Sequence, residues 1–157
     1  MTPRSDDAAN RGEKFGPADE TDVPSLVAID SASSQAWTAE AFVAELKSDP
    51  PTLFVLKSAG RVVAFVVARI QIPEMDIVNL AVARNRRRRG LGRFLLRSLL
   101  DHVAPAGIRS VFLEVREGNQ EARALYGSFG FKETQRRSGF YREPVEDAIL
   151  MRLEIEP

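Results

Sequence analysis

Three features of this sequence have residue types and spacing suited to chemistry. The first is Arg87-Arg88-Arg89-Gly90-Leu91-Gly92-Arg93. It follows an apolar run at residues 77–82 that reads as a strand, and it precedes residues 94–100, which read as a helix. The first N–H groups of a helix lack partners inside it, and the helix dipole adds partial positive charge at that end. Glycine lets a ligand approach closely, and the arginines add full charge. The ligand that suits such a loop is a pyrophosphate. The second feature is Glu114, a glutamate inside the otherwise apolar run at residues 111–115. Glutamate is depleted in strands. It fits either a solvated strand-end residue or a carboxylate in a cleft, where burial would raise its pKa toward the range of a general base. The third is Tyr126, which fits either a core aromatic at helical spacing or a phenol that donates a hydrogen bond or a proton.

Composition narrows the class. A chain of 157 residues with 44% hydrophobic and 28% charged content suits one soluble globular domain with a sizeable core. Lys+Arg and Asp+Glu are 22 each, so no overall field attracts nucleic acid or a membrane surface. The positive charge is local, with Arg84, Arg86, Arg87, Arg88, Arg89, Arg93 and Arg97 in one window. There is no cysteine, which excludes disulfides, thiolate metal sites and a cysteine nucleophile. The single histidine, His102, lies late in an expected helix and is given no chemical role. No apolar stretch approaches the length of a membrane span, and the N-terminus does not read as a signal peptide, so a cytoplasmic location is expected.

The elements that must position these residues follow from periodicity. Residues 1–14 are polar and aperiodic and read as a disordered leader, with one domain over residues 15–157. Phe15 to Ala18 holds the end of a first strand, and Thr21 is expected to cap a helix that turns Leu26, Val27 and Ile29 inward. Thr38 caps a second helix, with Trp37 and Phe42 placed as a hydrophobic staple. Residues 52–56, 62–70 and 75–82 read as three strands, the first two joined by a turn at Ser58-Ala59-Gly60. Leu91, Leu95, Leu99 and Val103 recur every four residues as one face of a helix. Asn119 caps a helix that carries Ala122, Leu125, Tyr126 and Phe129 and ends at Gly130. Residues 131–137 and 147–155 read as a last pair of strands separated by a long loop at residues 139–146. The strand–helix–strand passage through Gly90 requires a parallel crossover if both strands share a sheet. The expected class is α/β: a mixed, mostly antiparallel sheet with a central parallel pair and flanking helices.

The pyrophosphate loop is neither a P-loop nor a dinucleotide fingerprint, because Leu95 occupies the third glycine position of the latter. Arg87, Gly90 and Gly92 form Arg-x-x-Gly-x-Gly, which resembles the acetyl-coenzyme A signature of the GNAT N-acetyltransferases. On these residues alone a basic, solvated connection fits as well. The resemblance becomes more specific further on. Leu113-Glu114-Val115-Arg116, Asn119, Ala122, Ala124-Leu125-Tyr126 and Gly130-Phe131 are similar to the pattern of the RimI-type protein N-terminal acetyltransferases. So are Arg137 with Phe140-Tyr141, Glu146-Asp147-Ala148 with Met151, and upstream Trp37, Phe42 and Asn79-Leu80-Ala81-Val82. The likeness spans residues 15–154.

That resemblance implies a GNAT fold and a set of roles. Leu80, Ala81 and Val82 would offer backbone groups to the pantetheine arm and thioester of acetyl-CoA. Arg87, Arg88, Arg89, Gly90, Leu91, Gly92 and Arg93 would cradle its pyrophosphate, and Asn119 would bind near its sulfur. Glu114 matches the family's general base and Tyr126 its general acid. Trp37, Arg137 and Tyr141 would line the acceptor groove. The implied acceptor is a protein N-terminus, the N-terminal alanine of ribosomal protein S18, and neither a metal nor a nucleic acid nor a membrane is required. The chain is expected to act as a monomer or weak dimer. Phe140 stands where the family has the first tyrosine of a Tyr-Tyr pair, which loosens the alanine assignment. A GNAT that acetylates a lysine side chain or a small-molecule amine is the competing reading.

Overall fold

A computed structural model describes residues 12–33 and 35–156. Of the expected leader, residues 1–11 lie outside the described part, while Glu13 and Lys14 belong to the first strand. The described strands are β1 (Glu13–Pro17), β2 (Leu53–Ser58), β3 (Arg61–Gln71), β4 (Glu74–Val82), β5 (Ser110–Arg116), β6 (Lys132–Arg142) and β7 (Val145–Glu154). The helices are α1 (Val23–Asp30), α2 (Ala39–Glu45), α3 (Leu91–Val103) and α4 (Gln120–Ser128). The strands hydrogen-bond in the order β1-β2-β3-β4-β5-β7-β6. This is the expected mixed sheet: β4 and β5 are parallel, while β1–β2, β2–β3, β5–β7 and β6–β7 are antiparallel. Among the described residues no helix is long and apolar enough to cross a membrane. The chain clusters into two compact units, one with residues up to Ala68 and residues 79–102, the other with residues 69–78 and 103 onward.

In the first unit, β2 turns into β3 through Ala59 (φ 51°) and Gly60 (φ 80°). Two consecutive left-handed residues make the tight turn whose twist suits a two-residue hairpin. Val23, Leu26, Phe42, Leu53, Val55, Phe65 and Val67 form a buried cluster, with Val27, Ile29 and Trp37 packed against it. Phe42 is fully buried, its ring 5.4 Å from Phe65 edge-on and 5.2 Å from Trp37. The staple expected from the sequence is therefore a working contact, and Thr38 Oγ1 accepts from the Ala41 N–H at 3.1 Å as its cap. Thr21 is not a cap. Asp19 takes that role for a short turn at Glu20–Asp22, and the capping box is completed by Asp22. Asp22 is itself buried and pairs with Lys57 at 3.1 Å. Thr21 instead donates both its N–H and its hydroxyl to Asp19 Oδ1, and Pro24 has no N–H for it to cap. In α3, Leu91, Leu95, Leu99 and Val103 are all buried, as their spacing requires.

In the second unit, the parallel ladder runs from Glu74↔Ser110 to Ile77↔Leu113. β7 lies between β5 and β6, and opposes β5 from Ser110↔Glu154 to Arg116↔Ala148. Asn119 caps α4 by accepting from the Ala122 N–H at 3.1 Å, and Gly130 (φ 101°) closes its end. The expected loop at residues 139–146 is instead most of a hairpin, with β6 and β7 paired again at Tyr141↔Glu146 and Arg142↔Val145. The register shifts between Arg137 and Tyr141. Gly139 (φ 60°) bulges there, and its N–H donates to Asp147 Oδ1 at 2.8 Å. A bulge breaks the two-residue alternation by which a strand is recognised, so the sequence pattern ends β6 at Arg137.

Removing the Phe42 ring leaves a cavity that the rigid strands on one side cannot fill. Phe42→Ala is expected to lower unfolding free energy by about 3–5 kcal/mol. Denaturant unfolding followed by the single tryptophan, Trp37, checks this directly, because that indole loses its packing partner and its emission should also shift red.

Candidate active site

The arginine–glycine stretch sits where a strand hands over to a helix. β4 ends at Val82, a single 3-10 turn covers Arg84–Arg86, and α3 begins at Leu91. Arg88 (φ 64°) and Gly90 (φ 79°) both adopt the left-handed conformation. Turns that contain left-handed residues can gather backbone N–H groups into an anion-binding concavity. Arg88 reaches that region at a steric cost that glycine avoids. The Arg87 Nε donates to the Val82 carbonyl at 3.2 Å, which ties the loop to the end of β4. Arg87, Arg88, Arg89 and Gly90 are exposed, and Gly92 and Arg93 are half-buried. Leu91 is buried, so its side chain serves the core and only its backbone faces the loop. Leu80, Ala81 and Val82 are half-buried at the end of β4, beyond Ile77, the last of its residues paired with β5.

Trp37 is held to the same unit by a device the sequence did not reveal. Its backbone N–H donates to Asp30 Oδ2 at 2.7 Å, and Asn79 Nδ2 donates to Asp30 Oδ1 at 3.2 Å. Asp30 is 2% exposed. A buried carboxylate persists only when its oxygens receive hydrogen bonds, so these two contacts are required. They fix the loop bearing Trp37 relative to the strand residue just before Leu80.

The second unit brings together Glu114, Arg137, Phe140, Tyr141 and Arg116. Glu114 Oε2 lies 3.5 Å from Arg137 Nη1, with the two side chains 37% and 48% exposed. Of the two readings of Glu114, the solvated one is found: the carboxylate is open and meets a cation. Its neighbours along β5, Leu113 and Val115, are the buried ones, as strand alternation demands. Arg137 also lies over the Phe140 ring at 5.6 Å, and Phe140 stands perpendicular to Tyr141 at 5.2 Å. The Phe140 ring is exposed while Tyr141 is buried, so the missing hydroxyl is at the surface. Arg116 covers the other ring, 4.2 Å from the Tyr141 centroid. Asn119 is exposed at the start of α4.

Tyr126 is both core aromatic and titratable group. It is buried, packed 5.5 Å from Phe131, and its phenol is pushed up to about 12, first by burial and then by the nearby Tyr141. Tyr141 is raised too, mainly by burial and then by the Glu114 charge.

Residues 23–131 match the family model described as the Acetyltransferase (GNAT) family. The chain belongs to the GNAT acetyltransferase family. Among its GNAT relatives, the [ribosomal protein bS18]-alanine N-acetyltransferase of Escherichia coli (strain K12) is 35% identical over 138 residues, 86% of this chain and 93% of the relative. The crystal structure of the ribosomal-protein-S18-alanine N-acetyltransferase from Escherichia coli superposes with a TM-score of 0.85 at 32% identity, covering 92% of this GNAT chain and 95% of that one. The structure of Ard1 from Thermoplasma volcanium gives a TM-score of 0.86 at 26% identity, over 93% and 99% of the two chains.

With only two tyrosines, this GNAT chain allows a clean test of the buried phenols. In the folded protein the 295 nm titration should show Tyr126 ionising near 12, and Tyr126→Phe should remove that step. A raised phenol pKa stabilises the fold fully below about pH 10, and that contribution is lost as pH rises through the folded value. Between those limits wild type should lose roughly 2 kcal/mol relative to Tyr126→Phe, measured by denaturant unfolding across the alkaline range.

Proposed function

We propose that this chain transfers the acetyl group of acetyl-CoA to the α-amine of a protein N-terminus, with the alanine terminus of ribosomal protein bS18 as acceptor. The observation that carries this reading is the match to a bS18-alanine N-acetyltransferase over nearly the full length of both chains. The local geometry agrees with it. The basic loop suits the anionic cofactor, and the open carboxylate of Glu114 already accepts a cation, as it would the ammonium of an acceptor.

The roles follow from the chemistry. Arg87, Arg88, Arg89 and Arg93, with the backbone of Gly90, Leu91 and Gly92, hold the pyrophosphate. Leu80, Ala81 and Val82 align the pantetheine arm, and Asn119 binds near the sulfur. An α-amine has a pKa near 8 and is mostly protonated at neutral pH, whereas only the neutral amine attacks. Glu114 takes that proton, directly or through a water. The amine nitrogen adds to the thioester carbonyl, and N–H groups at the end of β4 stabilise the oxyanion. The new C–N bond forms, the nitrogen gives up its second proton to water as the amide forms, the C–S bond breaks, and coenzyme A leaves as a thiolate. Tyr126 supplies the thiolate's proton and regains one from water. A phenol with a pKa near 12 keeps its proton throughout the neutral range, and the dry surroundings that raise it also raise the basicity of the departing thiolate. Trp37, Arg137 and Tyr141 bound the acceptor, and Phe140 offers it an apolar ring. A ribosomal acceptor places the reaction in the cytoplasm, and a single chain supplies every group named.

The test is acetyl transfer to a peptide with the bS18 N-terminal sequence, beside a matched peptide with a blocked N-terminus and an internal lysine. Turnover is expected only with the free terminus. Glu114→Gln and Tyr126→Phe should each lower kcat by about 100- to 10,000-fold, the usual worth of a positioned acid or base. Equal turnover on the blocked peptide would make the chain a lysine acetyltransferase instead.

A further inference from the structure

The turn between β5 and α4, residues 117–119, presents Asn119, and the β6–β7 hairpin presents Arg137 and Tyr141. Glu146 makes two of the contacts that join them. Glu146, in β7, accepts the Gly118 N–H on Oε2 at 2.6 Å and Arg116 Nη1 on Oε1 at 3.2 Å. Both side chains of that ion pair are largely buried, at 22% and 23% exposure, so solvent screens it less than a surface pair. A Cβ at Gly118 would lie 2.7 Å from Glu146 Oε2, which explains glycine at this position without any demand on its φ. Arg116 carries the connection onward. The same Nη1 donates to the Pro144 carbonyl at 3.3 Å, and the guanidinium covers the Tyr141 ring. Two further links run in parallel: the Glu117 N–H donates to the Asp147 carbonyl at 3.0 Å, and Arg136 pairs with the Glu117 carboxylate at 2.6 Å.

We propose that Glu146 is a positioning residue that couples acceptor binding on the β6–β7 hairpin to cofactor binding at the β5–α4 turn. This rests on the roles assigned above to Asn119 and Tyr141. Ordering the hairpin around a peptide settles Tyr141 against Arg116. Arg116 and Glu146 then hold Gly118, and with it the adjacent Asn119, in one geometry. The cofactor therefore meets a turn whose ordering cost is already met. By linkage, each ligand strengthens the other by the same factor. A staple that served folding alone would change stability and leave that factor untouched.

The experiment uses the two products, so that no turnover intervenes. The Kd of coenzyme A is measured by calorimetry without peptide and with a saturating N-acetylated peptide of the bS18 N-terminal sequence. In wild type the peptide should tighten coenzyme A about fivefold or more. Glu146→Ala should lower that ratio toward one. Gly118→Ala reaches the same contact from the other side, because its methyl group displaces the carboxylate, and it should lower the ratio in the same way. The double variant should lose no more than either single one, as expected of two changes to one contact. Thermal melts identify the variants that fold, and either one alone decides the matter. A wild-type ratio of one, or a wild-type ratio retained in a folded variant, overturns the coupling while leaving the acetyltransferase reading in place. Failure of wild type to bind coenzyme A at all would overturn both.

Discussion

The turn that leads into α4 is held by one long-range contact: the Gly118 N–H donates to the carboxylate of Glu146, 28 residues away. That contact holds the turn just before α4, which begins at Gln120 behind its Asn119 cap and carries Tyr126 into the core. The first unit uses the same solution. Asp30 accepts the Trp37 N–H and the Asn79 side chain, and is itself almost wholly buried. In each case a charged acceptor holds a loop that carries a residue assigned to substrate or cofactor. Charge-assisted bonds of this kind are shorter and stronger than neutral ones, and losing one partner leaves an uncompensated charge inside. Loops secured this way keep a defined geometry without being long enough to pack a core of their own.

The second organising constraint is charge. Acetyl-CoA is an anion and an α-amine at neutral pH is a cation, so an enzyme for both must present opposite signs to its two substrates. The chain has zero formal net charge, yet its charge is unevenly spread. Seven arginines fall between Arg84 and Arg97 without one intervening acid. Glu114 supplies the opposite sign and meets Arg137 in the structure. That pair is exposed and long, which makes it easily exchanged for another cation.

Features set by neighbours in the chain were legible in the sequence. The caps at Thr38 and Asn119, the turn at Ala59-Gly60 and the leucine stripe of α3 all depend on residues within a few positions of one another. The parallel pair β4–β5 followed from the crossover through α3. Features set by distant partners were not legible. Glu114 read as a candidate for burial because its neighbours are apolar, but alternation turns it outward and Arg137, 23 residues on, receives it. The role of Asp30 is not legible either, because its partner Asn79 lies 49 residues away. The hairpin at residues 139–146 reads as a loop because the Gly139 bulge erases its period, and the bulge is held by the Gly139 N–H donating to Asp147 on the opposite strand. The position of β7 between β5 and β6 is likewise a pairing choice that local pattern does not encode.

The claim on which the rest turns is that the acceptor is an α-amine. The most direct measurement compares two bisubstrate conjugates. In one, coenzyme A is joined through an acetyl bridge to the α-amine of a peptide with the bS18 N-terminal sequence. In the other it is joined to a lysine side chain in a peptide with a blocked terminus. Because each conjugate carries both substrates at once, inhibition reports how well the protein accepts that geometry. N-terminal acetylation predicts that the α-amine conjugate inhibits about a hundredfold more tightly, on the scale by which analogues of the reacting complex exceed mismatched ones. Equal inhibition, or tighter inhibition by the lysine conjugate, would contradict it.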